Sequence, residues 1–251
     1  MTSQNEVIET TLLHGRVQLL QPKIGYHASI DAVFLASAAP LQTGMHVLDL
    51  GCGVGSVGLC AAARDNIALT GIDIQQELVD LALQNAALNG MAHAARYVCA
   101  DFRRERLIDD NQFQVVLMNP PYQEAGTHTP SPTRNKALSH GEDASGATLE
   151  EWVKYAHRKL KQGGTLLMIH RADRMSEITA TLERRRWFGS IVIYPLFSKA
   201  GENAKRVIIR ARKERFAPMV LKPGMVIHEK DGKYSVGAQK ILGAAEALAL
   251  D

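Results

Sequence analysis

The chain lacks most of what would tie it to a membrane, a secretory route or a resident metal. No apolar run approaches the roughly eighteen residues that a bilayer helix needs. Met1-Thr2-Ser3-Gln4-Asn5-Glu6 has neither a basic segment nor an apolar one, so no secretory leader is expected. Only three cysteines occur (Cys52, Cys60 and Cys99), with no C-x-x-C and no Cys/His ligand spacing. They read as reduced core residues of a cytoplasmic protein, and no metal is expected. Repeats and low-complexity tracts are missing. So is G-K-[ST], which excludes a P-loop. A large excess of one charge is missing too: the net formal charge is +3, which permits an anionic partner without demanding one.

What remains is an ordinary globular composition, 251 residues with 46% apolar and 22% charged. The length suits one α/β domain, read as a lead-in over 1–40, a Rossmann-like core over 41–215, and a hairpin and helix over 216–251. The organising stretch is Val47-Leu48-Asp49-Leu50-Gly51-Cys52-Gly53-Val54-Gly55. Its apolar start predicts a buried parallel strand, and the glycines predict a turn against which a ligand can rest. Ser56 to Arg64 follows at helical spacing. Strand, glycine turn and helix open a nucleotide-binding unit. Gly51, Gly53, Gly55 and Gly58 fit G-x-G-x-x-G poorly. The pattern D-x-G-x-G-x-G instead resembles the cofactor loop of class I S-adenosylmethionine-dependent methyltransferases.

Two further strands end in acids at the same edge. Ile67 to Asp73 places Asp73, with Ile74 beside it, about twenty residues past the turn, where an acid can hold ribose hydroxyls. Arg96 to Phe102 ends in Asp101, able to accept from an adenine amino group, and Phe102, able to lie on the ring. The alternative is that Asp101 caps a turn and Phe102 is core. Before the first core strand, Asp31 to Pro40 predicts a helix that either brings Tyr26 and Asp31 over the cofactor or covers a sheet edge.

The fourth strand, Phe113 to Met118, runs into Asn119-Pro120-Pro121-Tyr122. Two prolines stiffen this tetrapeptide and hold the Asn119 amide and the neighbouring carbonyls in place. Neither Asn nor Pro titrates, so the site orients a planar amine rather than moving protons. If the Asn119 side-chain oxygen and the Pro120 carbonyl each accept one N–H, an exocyclic nitrogen is biased towards a tetrahedral shape, its lone pair aimed at a sulfonium methyl. Tyr122 can stack on the substrate plane. The loop from Gln123 to Gly146 is long enough to suggest a functional role, and it carries Arg134, Lys136 and His140.

N-P-P-Y after the fourth strand resembles the amino-methyltransferases, which act on adenine, cytosine or guanine amines in nucleic acid and on glutamine in release factors. Three segments make the chain most similar to the branch that methylates adenine N6 beside the anticodon of tRNA(Val): Gly25 to Val33, Arg134 to His140, and Lys205-Arg206 with Val226 to Gly232. The resemblance implies a seven-stranded, mostly parallel sheet with one antiparallel strand. It implies that Asp49, Gly51, Gly53 and Gly55 line the methionine part of S-adenosylmethionine, that Asp73 holds the ribose, and that Asp101 and Phe102 hold the adenine. Asn119, Pro120, Pro121 and Tyr122 would form the catalytic segment. Arg134, Lys136, His140, Lys199, Lys205 and Arg206 would contact tRNA. Gly25-Tyr26-His27-Ala28-Ser29 departs from the expected Gly-aromatic-x-aromatic-Gly segment, leaving the contact made by His27-Ala28 open. Two other functions fit some of the residues: a protein glutamine-N5 methyltransferase, which would need a docking domain before the core, and a nucleic-acid-binding module without catalysis.

Overall fold

A computed structural model describes residues 6–25, 27–121 and 146–250. The chain opens with β1 (Val7–Leu12) and β2 (Val17–Pro22), an antiparallel hairpin outside the main sheet. Then follow α1 (Ile30–Ser37), β3 (His46–Leu50), α2 (Ser56–Ala62), β4 (Ala68–Asp73), α3 (Gln76–Leu88), β5 (Ala95–Cys99) and β6 (Phe113–Met118). The second half holds α4 (Leu149–Lys159), β7 (Leu160–Arg171), α5 (Met175–Glu183), β8 (Phe188–Phe197), β9 (Ala204–Lys213), β10 (Val220–Leu221), β11 (Met225–Val226) and α6 (Val236–Ala244).

The main sheet runs β10-β8-β9-β7-β6-β3-β4-β5, with β11 also on β8. Only β9 is antiparallel to its neighbours. The strands are apolar on both faces because helices cover both. Val47, Val115, Leu117 and Leu167 pack with α1 and α2. Leu48, Val116, Leu166 and Met168 pack with Trp152 and Val153 of α4 and Ile178 of α5.

The seven long strands thus form the expected mostly parallel sheet. The count is nine because two-residue β10 and β11 add to the outer edge of β8. The C-terminal hairpin is reduced to one bridge, His228↔Tyr234, around a turn in which Gly232 N–H donates to the Glu229 carbonyl at 3.0 Å.

In the lead-in hairpin the outer edge of β2 is satisfied by side chains. Asn85 Oδ1 accepts from Leu20 N–H at 2.6 Å, and Asn85 Nδ2 donates to the Leu20 carbonyl at 3.0 Å. Asn89, one turn along α3, repeats the pattern on Gln18 at 2.9 and 2.7 Å. Two amides at (i, i+4) thus replace a neighbouring strand. Asn85 Nδ2 also donates to the Val54 carbonyl at 2.9 Å, which joins the hairpin to the glycine turn.

Candidate active site

The strand order reverses at β3: β4 and β5 lie on one side of it, and the chain then returns to place β6 on the other. Such a reversal opens a crevice at the carboxyl ends of the strands. Leu50 pairs with Met118, so the next residues, Gly51 and Asn119, leave adjacent strand tips at one level. Leu50 also pairs with Ile72, which brings Asp73 to the other side of Gly51. Asp73 pairs with Cys99, and Asp101 follows two residues on.

The glycine turn is built by backbone geometry. Gly51, Gly53 and Gly55 have φ of +74°, +52° and +84°, a region L side chains enter only with strain. Gly51 and Cys52 N–H both donate to the Ile72 carbonyl, at 2.9 and 3.0 Å. Gly53 N–H donates to Asp73 Oδ2 and Gln75 N–H to Asp73 Oδ1, each at 2.9 Å. Asp73 therefore shapes the turn. Asp49 is 1% exposed and accepts from Gly58 N–H at 2.8 Å, tying strand to helix. Burial pushes its carboxyl up to about 7, opposed by the Gly58 bond and reinforced by Asp73.

Space under the turn is filled by two rings. A Cβ on Gly51 would lie 2.5 Å from Trp152 Cη2. A Cβ on Gly71 would lie 2.4 Å from Tyr97 Cδ1, and one on Gly55 would lie 2.7 Å from the Tyr97 hydroxyl. Among the described residues that hydroxyl has no hydrogen-bond partner. Gly71 inside β4 was the signal for Tyr97, since a glycine within a strand marks a close approach. Trp152 had no such signal. It lies in the first turn of α4, behind a Thr148–Glu151 capping box.

Asp101 is engaged by Arg103, whose Nε and Nη2 donate to its two oxygens at 2.9 and 2.7 Å. The fork holds the Asp101 carboxyl below the usual carboxylate range. The Phe102 ring is buried, 4.8 Å from the Trp152 ring and 5.2 Å from the Tyr155 ring, and packs in the core beneath Asp101. The loop after it is anchored by Glu105, which accepts from Tyr155 at 2.7 Å and pairs with buried Lys159 at 2.8 Å. Arg206 Nε donates to Asp31 Oδ2 at 3.1 Å, which brings a cation expected at the substrate and an acid expected at the cofactor together.

Asn119 is half-buried and Pro120 buried at the tip of β6; Ile74 is 38% exposed beside Asp73. Lys199 is exposed in the β8–β9 turn and Lys205 at the start of β9. His27 Nε2 lies 3.2 Å from the Lys23 carbonyl, and Ala28 N–H donates to Gln21 Oε1 at 2.9 Å. Tyr26, Tyr122, Arg134, Lys136 and His140 lie outside the described residues. Buried His170, at the tip of β7, was missed. Burial, aided by Arg174, pushes its imidazole down to about 4, so it stands neutral at pH 7 with Nδ1 accepting from Arg171 N–H at 2.9 Å.

Comparison with known proteins gives this geometry a context. The chain is 24% identical over 217 residues to a tRNA1(Val) (adenine(37)-N6)-methyltransferase from Dickeya chrysanthemi, covering 84% of each. It is 24% identical over 188 residues to one so named from Bacteroides fragilis, covering 74% of this chain and 77% of the other. A 23S rRNA (uracil(1939)-C(5))-methyltransferase from Acidithiobacillus ferrooxidans is 41% identical, but over 83 residues, 32% of this chain and 19% of its own. Among solved structures, a predicted O-methyltransferase from Agrobacterium tumefaciens shares the fold with a TM-score of 0.71 at 24% identity, over 87% of this chain and 98% of that one. The cofactor is S-adenosylmethionine, and the chemistry of a left-handed glycine cradle flanked by Asp49 and Asp73 suits it: an acid stands beside the turn Gly51–Gly55, which has no lysine for a pyrophosphate. The model of the methyltransferase small domain matches residues 27–191, from ahead of α1 into β8, and the chain belongs to that family of S-adenosylmethionine-dependent methyltransferases.

Proposed function

We infer that the chain methylates the exocyclic N6 amine of adenine in RNA, with tRNA(Val) beside the anticodon as substrate and the cytoplasm as its place. The observation that carries this reading is the Leu50↔Met118 register, which sets Asn119-Pro120 next to Gly51. The named relatives from Dickeya and Bacteroides support the choice of amine. The bound cofactor supplies an electrophilic sulfonium methyl group. Asp73 takes the ribose hydroxyls, and Asp101, within its Arg103 fork, takes the adenine amino group. Asn119 and the Pro120 carbonyl accept the two N–H bonds of the substrate amine, so its lone pair faces the methyl. Tyr122 stacks on the base, which must first leave any stack it occupies.

The test is transfer of labelled methyl to unmodified tRNA, with nucleosides read by mass spectrometry. N6-methyladenosine is expected. Asn119→Ala should lower kcat about a hundredfold or more, as loss of a positioned polar group does, with cofactor affinity within about twofold of wild type. Labelled protein beside unlabelled RNA would replace this reading with the glutamine one.

A further inference from the structure

The edge of the sheet that carries the cleft also carries an aromatic pair set among lysines. β8 runs parallel to β7, so Phe197 ends it at the site edge, and antiparallel β9 starts there at Ala204. The C-terminal turn is fastened to that edge: Ile227 N–H donates to the Phe197 carbonyl at 2.8 Å and His228 N–H to the Ser198 carbonyl at 3.1 Å. His228 faces Tyr234 across a single bridge, their rings stacked with centroids 5.0 Å apart and planes 27° apart. The imidazole is steadied by Nδ1, 3.3 Å from the Ser198 carbonyl, while Tyr234 is 38% exposed.

Charge around the pair has one sign in excess. Segments 198–206 and 227–235 hold five Lys or Arg against three acids, two of the chain's net +3. Lys233 is tied to Asp231 at 2.9 Å and Arg206 to Asp31 at 3.1 Å. Lys199, Lys205 and Lys230 are exposed and make no ion pair among the described residues. A pair that only closed a turn would gain most by being buried. Here His228 is half-buried and Tyr234 exposed, beside three cations, on the side of the sheet that holds Asn119.

We propose that the His228–Tyr234 pair is a stacking platform for an unpaired RNA base, with Lys199, Lys205 and Lys230 following the adjoining phosphates. The proposal rests on the RNA reading above. Every base has a π face and every linkage a charge, so such a surface grips a flexible strand without reading its sequence. It would hold substrate at a second point, away from the reacting base.

The test uses the full chain and a short fluorescein-labelled single-stranded RNA, alone and annealed to its complement, followed by anisotropy. Tyr234→Ala should weaken single-strand binding by roughly tenfold, the size of one lost base stack. Tyr234→Phe should stay within about twofold of wild type. In methyl transfer to tRNA, Tyr234→Ala should raise KM and leave kcat and cofactor affinity unchanged. Lys199→Glu with Lys205→Glu should flatten the salt dependence of binding. Wild-type binding by Tyr234→Ala, equal losses in the Ala and Phe variants, or a parallel loss of cofactor affinity would each reduce the pair to a turn-closing contact. If the wild type methylates RNA while Tyr234→Ala does so with unchanged KM, the platform alone is refuted. If the wild type neither binds nor methylates RNA, the RNA reading fails and the platform with it.

Discussion

Gly51→Ala is the substitution whose consequence the structure defines most sharply. The residue sits at φ +74°, and its Cβ would stand 2.5 Å from Trp152 Cη2 and 2.9 Å from Cζ3. The backbone contributes ~1–2 kcal/mol, the cost of a left-handed conformation for an L residue. Overpacking a tight contact adds ~1–3 kcal/mol. Their sum is a sizeable part of a typical stability of ~5–15 kcal/mol, so the variant should fold but denature early. Trp152 is held between Gly51 and the Phe102 ring, 4.8 Å away, so it cannot step aside without disturbing the loop that carries Asp101. A smaller side chain there should therefore relieve the clash. The assay is a double-mutant cycle of Gly51→Ala and Trp152→Leu by denaturant unfolding, with cofactor affinity by calorimetry on the same samples. Trp152→Leu is destabilising alone, but the pair should be less destabilised than the sum by ~1–2 kcal/mol. Cofactor affinity in Gly51→Ala should fall at least tenfold. Additivity within about 0.5 kcal/mol would mean that ring and turn are not in register, and the account of the cradle would be wrong.

Three further outcomes follow from buried groups. Lys159→Met strands the Glu105 carboxylate, whose side chain is fully buried, and should lower stability by ~3–5 kcal/mol; adding Glu105→Gln should recover part of that in the same melts. Asp49 carries a folded-state pKa near 7, above its unfolded value, so the folded state binds the extra proton. Its contribution is then lost as pH rises from about 4 towards 7, and Asp49→Asn should flatten the unfolding free energy across that window. An unchanged slope would remove the raised pKa. Tyr97→Phe deletes a buried hydroxyl with no described partner, and should leave stability equal or higher by ~1 kcal/mol with cofactor binding intact. A clear loss in thermal melts would mean that the hydroxyl has a partner after all.

The strand–turn–helix at Val47 to Arg64 was readable because each piece rests on local rules: apolar runs make buried strands, and left-handed positions at every second residue need glycine. The acids at the strand ends were readable for the same reason, since their spacing follows the βαβ repeat. What could not be read was partnership between residues far apart in the chain. Arg206 meets Asp31, 175 positions away. Phe102 meets Trp152 and Tyr155, which α4 brings against it.

By itself, then, the order of residues determined the class of fold, the glycine turn, the acids at strand tips and the rigid Asn-Pro-Pro segment, all properties of short windows. Tertiary structure alone decided that Gly51 and Asn119 leave neighbouring strands at one level, that Asn85 and Asn89 complete the lead-in sheet, and which charged groups are already taken. The physical reason is that register and side-chain pairing are settled by packing between elements, whose energies depend on contacts that no local pattern encodes.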